Sequence, residues 1–286
     1  MLPPRTAALT SLAMIAFAGN SLLCRMALKN TSIDAASFTS IRLVSGALVL
    51  YCIVRMRHAA STGDKQQDTG NWLSALALFV YAAGFSFAYV NLSAATGALL
   101  LFGAVQATMI GFGIYSGERL FAMQLIGLGA ALSGVVALLL PGISAPPLGA
   151  SILMLSAGVA WGIYSLRGRT TGDPTTVTAG NFLRAVPITV LVSILLPDTA
   201  SFDAVGIWYA ILSGALASGL GYAIWYTAIP ALDATKAATV QLSVPVLTAL
   251  GGIVFLDETM SLRLILASLA ILGGIALVIR NKQVPA

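Results

Sequence analysis

The residues that could do chemistry in this chain are polar and aromatic side chains set inside long apolar stretches. The amides Asn20, Gln106, Asn181 and Gln241, the hydroxyl of Ser243 and the guanidinium groups of Arg42 and Arg184 all fall there. Aromatic residues accompany them: Tyr81, Phe85 and Tyr89 recur every fourth residue, as do Phe102 and Gln106, so each set shares one helix face. Trp161 with Tyr164 and Ser165, and Tyr222 with Trp225 and Tyr226, form two further groups. Such side chains suit recognition rather than covalent chemistry. Rings stack on planar or apolar solutes and hold cations over their faces, typically for about 0.5–2 kcal/mol per contact, while amides and hydroxyls take the ammonium and carboxylate of a zwitterion.

Each assignment has a plainer competitor. Tyr and Trp also form belts at membrane interfaces, and Tyr89, Trp225 and Tyr226, close to helix ends, fit a belt or packing role better than a cavity. Tyr81, Trp161, Gln106, Gln241 and Asn20 lie deeper, where cavity lining and packing weigh equally. An ionised residue inside a span costs about 2.5–3.5 kcal/mol on insertion scales. Arg42 and Arg184 therefore either attract a solute carboxylate or brace the scaffold by snorkelling and bonding to backbone carbonyls; their matched placement favours the scaffold.

Catalysis is poorly provided for. Nucleophilic and metal-assisted mechanisms need a base or a ligand cluster, but the one histidine, His58, falls in a link, and every Asp and Glu falls at a helix end or in a link. Cys24 and Cys52 have no His beside them and suggest neither a zinc site nor a disulfide framework. The Gly-x-x-x-x-Gly-Lys-Ser/Thr pattern of ATP hydrolysis is absent. The expectation is a non-enzyme with no cofactor, no metal, no ATP and no nucleic-acid partner. The same lack of an intramembrane Asp, Glu or His predicts facilitated diffusion rather than proton coupling.

These residues need elements to position them, and composition says which. Of 286 residues, 58% are hydrophobic and 9% charged, against roughly a quarter charged in soluble domains. A spanning helix needs roughly 20 apolar residues, and ten such runs are legible, near 7–25, 34–54, 72–90, 94–115, 122–141, 147–166, 175–196, 206–227, 235–256 and 262–280. The predicted fold class is an all-α membrane protein of ten transmembrane helices, with membrane lipid as its surroundings. The net charge of +5 first reports orientation, since cytoplasmic links are rich in Lys and Arg. With both termini inside, ten basic residues fall on the cytoplasmic side and three, Arg25, Lys29 and Arg263, outside. The first run lacks a small-residue cleavage site and is read as a retained helix. A bacterial-type inner membrane is the expected location.

The chain also reads as one unit used twice, with an offset of about 140 residues. Ala95-Thr96-Gly97-Ala98 answers Ala234-Thr235-Lys236-Ala237; Gly117-Glu118-Arg119 answers Asp257-Glu258-Thr259; Ser133-Gly134-Val135-Val136 answers Gly273-Gly274-Ile275-Ala276; and Ile41-Arg42-Leu43-Val44 answers Leu183-Arg184-Ala185-Val186. Residues 1–145 and 146–286 would each hold five spans. An odd number forces the second copy to enter from the opposite side, and such inverted repeats underlie alternating access around a central cavity. The link Pro141-Gly142-Ile143-Ser144-Ala145-Pro146-Pro147 reads as a rigid outer turn, and residues 65–70 as a mobile cytoplasmic loop. Pro187 and Pro245 predict kinks. Gly127, Gly129, Gly214, Gly219, Gly221, Gly273 and Gly274 predict close helix packing.

On the two-fold five-helix plan, the paired arginines, Tyr222-Ala223-Ile224-Trp225-Tyr226 and the stretch from Pro245 to Asp257-Glu258, the chain resembles the drug/metabolite transporter superfamily, EamA-like branch. Within it the chain is most similar to bacterial exporters of aromatic and other neutral amino acids. The resemblance implies a ten-helix basket around a central cavity that exports small metabolites; as polar or aromatic side chains inside the spans, Asn20, Tyr81, Phe85, Phe102, Gln106, Trp161, Tyr164, Asn181, Tyr222, Gln241 and Ser243 are the candidate substrate contacts. One departure is Val105-Gln106, which replaces the acidic-proline pair usual in the first half. Nucleosides, drugs or other metabolites, with or without proton coupling, are alternative cargoes; a channel is the remote one. Oligomeric state is left open.

Overall fold

Hydrocarbon offers backbone N–H and C=O groups no partner but each other, so a chain this apolar must place its spans in helices. The computed structural model describes residues 3–59, 70–117, 120–142, 144–168, 173–195, 201–232 and 234–280; the polar stretch 65–70 is outside them except for Gly70. Among the described residues, ten helical segments are long and apolar enough to span a membrane and no strand occurs. Spans 1 to 7 are Pro4–Asn30, Ala35–Ala59, Trp72–Tyr89, Ala94–Tyr115, Ala122–Leu139, Leu148–Arg167 and Pro174–Leu195. Span 8 is Ala204–Ala231, span 9 the two pieces Ala234–Gln241 and Ser243–Leu256, and span 10 Leu262–Arg280.

Helix starts are set by side chains that take the first unpaired N–H groups. Asp34 Oδ1 accepts from Ala36 and Ser37 before span 2 (2.8 and 2.9 Å). Asn71 accepts from Ser74 at the start of span 3 (2.9 Å), Ser93 from Thr96 at span 4 (3.2 Å) and Asp203 from Gly206 at span 8 (2.8 Å).

Contacts near the span ends sort into two layers. Asp34, between spans 1 and 2, bonds with Ser201, between spans 7 and 8. Arg25, near the end of span 1, meets Glu258, between spans 9 and 10, and the carbonyls of Tyr89 and Val90, between spans 3 and 4. At the opposite layer Arg57 reaches Thr175, Arg167 reaches Ser74, and Gln124 reaches the Val278 carbonyl. Alternate span ends thus meet in separate layers, as a chain that crosses back and forth requires.

Span 1 packs on spans 8, 9 and 4; span 6 packs on spans 3 and 4; spans 2, 7 and 8 pack together; and spans 5 and 10 pair at one side. Small residues allow the closest crossings. A Cβ on Gly127 would collide with the Gly274 carbonyl, and one on Gly274 with that of Gly127, whereas Gly129 and Gly273 face open space. A Cβ on Gly214 would collide with Ser45 Oγ and the Arg42 carbonyl, so spans 2 and 8 touch backbone to backbone. Apolar side chains such as Leu250, Val254, Leu266 and Leu269 point outward, as a lipid-facing surface requires.

Three features differ from the expected plan. Span 1 runs on to Asn30, so Arg25 and Lys29 lie in its last turns, because each has found a partner: Lys29 donates to the Leu256 carbonyl (2.6 Å). Span 8 contains a π-helical segment, Ser213–Leu220. Span 9 breaks at Leu242, three residues before Pro245, while span 7 continues through Pro187.

Candidate functional site

Spans 1, 3, 4, 6, 8 and 9 converge on one cavity near mid-helix. Phe17, Asn20 and Ser21 come from span 1, Tyr81 and Phe85 from span 3, Leu101 and Phe102 from span 4, Trp161 from span 6, Tyr222 from span 8 and Gln241 from span 9. Its volume is about 20 Å³, room for roughly one water and too small for a metabolite. A larger crevice of about 340 Å³ opens between spans 4, 5, 6 and 10, lined by Gly103, Ala107, Leu128, Ile271 and Ile275. Its one hydroxyl, Thr108, is bonded to the Ala104 carbonyl (2.8 Å). Solute sites need convergent polar groups, so the small cavity, not the large one, is the candidate.

The cavity wall is aromatic. Trp161 stands at its centre, with ring centroids 4.8 Å from Tyr81, 5.1 Å from Tyr222 and 5.3 Å from Tyr164, the last stacked. Phe85 lies 5.5 Å from Tyr81, and Phe17 lies 5.7 Å from Tyr222.

Behind the rings runs a polar network. The Tyr81 hydroxyl accepts from Asn20 Nδ2 (3.3 Å) and Arg42 Nη2 (3.0 Å). Asn20 Oδ1 accepts from Ser213 Oγ (2.7 Å), and Arg42 Nε donates weakly to Ser218 Oγ (3.4 Å). Ser213 and Ser218 both belong to the π-helical segment of span 8, and π-segments change which residues a helix presents to a given face. Arg42, 1% exposed, holds its guanidinium 4.8 Å from the Phe85 centroid and 5.2 Å from that of Tyr81.

The expected residues divide. Asn20, Tyr81, Phe85, Phe102, Trp161, Tyr222 and Gln241 line the cavity together. Tyr164 and Asn181 sit beyond Trp161: Asn181 Nδ2 donates to the Tyr164 hydroxyl (3.4 Å), while its Oδ1 accepts from the Asn71 backbone (2.9 Å). Gln106 is buried in span 4 outside the lining. Ser243 turns back to the Val240 carbonyl (2.7 Å) at the break in span 9. The two arginines have unlike surroundings: Arg184 donates to the Gly180 carbonyl of its own helix (3.0 Å), whereas Arg42 joins the cavity network. Tyr89 and Trp225 are buried, which fits packing and not an interface belt. Phe17, Ser21, Ser213 and Ser218 are participants that residue type and spacing did not single out.

One end of the bundle is tied together by side chains. Arg25 Nε and Glu258 Oε1 form an ion pair (3.1 Å) with side chains 14% and 10% exposed. Glu258 Oε2 accepts from the Ala94 N–H at the start of span 4 (2.7 Å), and Arg25 Nη1 donates to the carbonyls of Tyr89 (2.8 Å) and Val90 (3.0 Å). This latch joins the ends of spans 1, 3, 4 and 9.

Residues 148–280 match the EamA-like transporter family. The chain is similar to an uncharacterized protein of Pseudomonas aeruginosa, 57% identical over 278 residues that cover 97% of this chain and 96% of that one. Over 139 residues, 46% of each chain, it is 31% identical to the threonine/homoserine exporter RhtA of Salmonella typhimurium. A crystal structure of another protein has a similar fold, with a TM-score of 0.66 at 18% identity over 96% of both chains.

Proposed function

Since the chain belongs to the EamA-like transporter family of the drug/metabolite transporter superfamily, we infer that this multi-pass membrane protein exports small neutral metabolites, in particular large neutral or aromatic amino acids, through the cavity centred on Trp161. The observation that carries this reading is the convergence of six spans on one aromatic wall with the amides of Asn20 and Gln241 in it. Lipid contact would select neither. The similarity of part of the chain to an amino-acid exporter supports the cargo class, and rings suit its apolar side chain.

The mechanism that fits is alternating access between two inverted five-helix repeats, 1–145 and 146–286. Exchanging span 1 with 6, 2 with 7, 3 with 8, 4 with 9 and 5 with 10 converts the packing of span 1 on 8 and 9 into that of span 6 on 3 and 4. It leaves the pairs 2–7 and 5–10 unchanged. The excess of basic residues at one layer supports cytoplasmic termini in a bacterial-type inner membrane, which puts the Arg25–Glu258 latch at the outer end. With no Asp or Glu in mid-span among the described residues, flux follows the solute's own gradient.

The deciding experiment is uptake of labelled neutral amino acids, nucleosides and sugars into liposomes holding the purified protein, with and without an imposed pH gradient. Saturable uptake of large neutral amino acids that ignores the gradient is expected. Uptake only under a proton gradient overturns the coupling, and transport confined to another solute overturns the cargo.

A further inference from the structure

We propose that Arg42 is the anchor for a carboxylate on the transported solute, so that the cargo is a carboxylate-bearing molecule and not simply a neutral planar one. This rests on the transporter reading above and assigns its substrate chemistry.

Arg42 is buried, yet its Nη1 has no hydrogen-bond partner. Of its other nitrogens, Nη2 is held by the Tyr81 hydroxyl and Nε only by the long contact to Ser218. No carboxylate pairs with it among the described residues; Asp34, Asp173, Asp203, Asp257 and Glu258 all lie at span ends. A buried cation without a counter-ion is costly, and one left with an unfilled donor more so. Scaffold duty would be met by backbone carbonyls, as Arg184 shows by donating to Gly180. Arg42 instead spends its donors on hydroxyls, which are exchangeable partners.

Its position suits exchange. The guanidinium lies against Tyr81 and Phe85, which line the cavity. A carboxylate entering beside these rings offers two coplanar oxygens to the guanidinium fork, the geometry that arginine binds bidentately. One oxygen takes Nη1, and the other takes Nη2 as Tyr81 swings aside. Tyr81 is thereby freed from Arg42 when the solute arrives, and its ring also touches Trp161. The rest of the solute then lies against Trp161 and Tyr222, with the amide of Gln241 in the same lining to take an ammonium.

The test compares an aromatic amino acid with its carboxamide, which has the same shape and no carboxylate charge, in liposomes holding the wild type, Arg42→Lys and Arg42→Gln. The wild type is expected to prefer the acid by about 10- to 100-fold, the worth of a hydrogen bond to a charged group. Arg42→Gln is expected to lower acid uptake far more than carboxamide uptake and bring the ratio toward one. Arg42→Lys keeps the charge without the fork and falls between, and it decides the matter if Arg42→Gln does not fold. Saturable uptake of both compounds without preference, or a preference that survives in the variants, overturns the carboxylate anchor and leaves the carrier reading standing. Absence of saturable uptake of any panel solute overturns the carrier reading itself.

Discussion

The Tyr81 hydroxyl accepts from both Asn20 and Arg42 while its ring packs on Trp161, so it links the polar network to the aromatic wall. Tyr81→Phe keeps the ring and leaves two buried donors unpaired, each unsatisfied group costing about 1–3 kcal/mol. We expect a lower thermal midpoint in detergent, read on the purified variant; an unchanged midpoint would remove the hydroxyl from the network. Asp34 makes a different residue-scale case. Burial raises its carboxyl pKa, but the N–H groups of Ser201, Ser37 and Ala36, with the Ser37 side chain, outweigh this and hold it below the ordinary carboxylate value. A pKa lowered on folding stabilises above the unfolded value of 3.8, and that stabilisation is lost as pH falls through the folded value. Thermal unfolding between pH 7 and pH 3 should therefore show an acid-dependent loss in the wild type that Asp34→Asn reduces. Residue type made much of this site legible, since a mid-span Asn, Gln or Tyr is anomalous in hydrocarbon. Ser213 and Ser218 were not legible: serine is common in spanning helices, and only the π-register of span 8 points both into the network.

Among the elements, seven spans were readable to within about two residues because hydrocarbon thickness and end charges bound them from both sides, whereas spans 1, 2 and 8 run four or five residues past their expected ends. For span 1 the cause is tertiary. Arg25 looks like a link residue until it meets Glu258, 233 positions away, a partner no local pattern reveals. The ion pair ties four span ends, so Glu258→Gln should loosen this end while preserving an acceptor for the Ala94 N–H. The cost should lie at about 1–3 kcal/mol, between exposed pairs and fully buried ones. A cysteine placed at Ser21, in a background without Cys24 and Cys52, should react faster with a membrane-impermeant thiol reagent added from the latch side when Glu258→Gln is present. Equal rates would mean that the latch does not gate the cavity. Gly214 makes the complementary case: no shift of a flexible side chain can relieve the clash of a Cβ there with the Arg42 carbonyl.

At the scale of the whole molecule, the closed cavity sets the terms of transport. About 20 Å³ cannot hold an amino acid, whereas small-molecule sites run to about 300–1,000 Å³, so spans must part before any solute binds. Part of the cost of parting them falls on whichever end is tied, and a bound solute that fills the aromatic wall and engages its polar groups offsets it. If transport is by alternating access, the carrier reorients faster loaded than empty, because the empty cavity must close on rings and unpaired donors. The expected consequence is trans-stimulation: liposomes preloaded with unlabelled cargo should take up labelled cargo severalfold faster than empty ones and transiently concentrate it. A channel through the same bundle would equilibrate label without overshoot. The comparison becomes sharper in Glu258→Gln, where loosening one end should narrow the difference between loaded and empty vesicles if the latch contributes to the barrier for empty reorientation; an undiminished difference would place that barrier elsewhere.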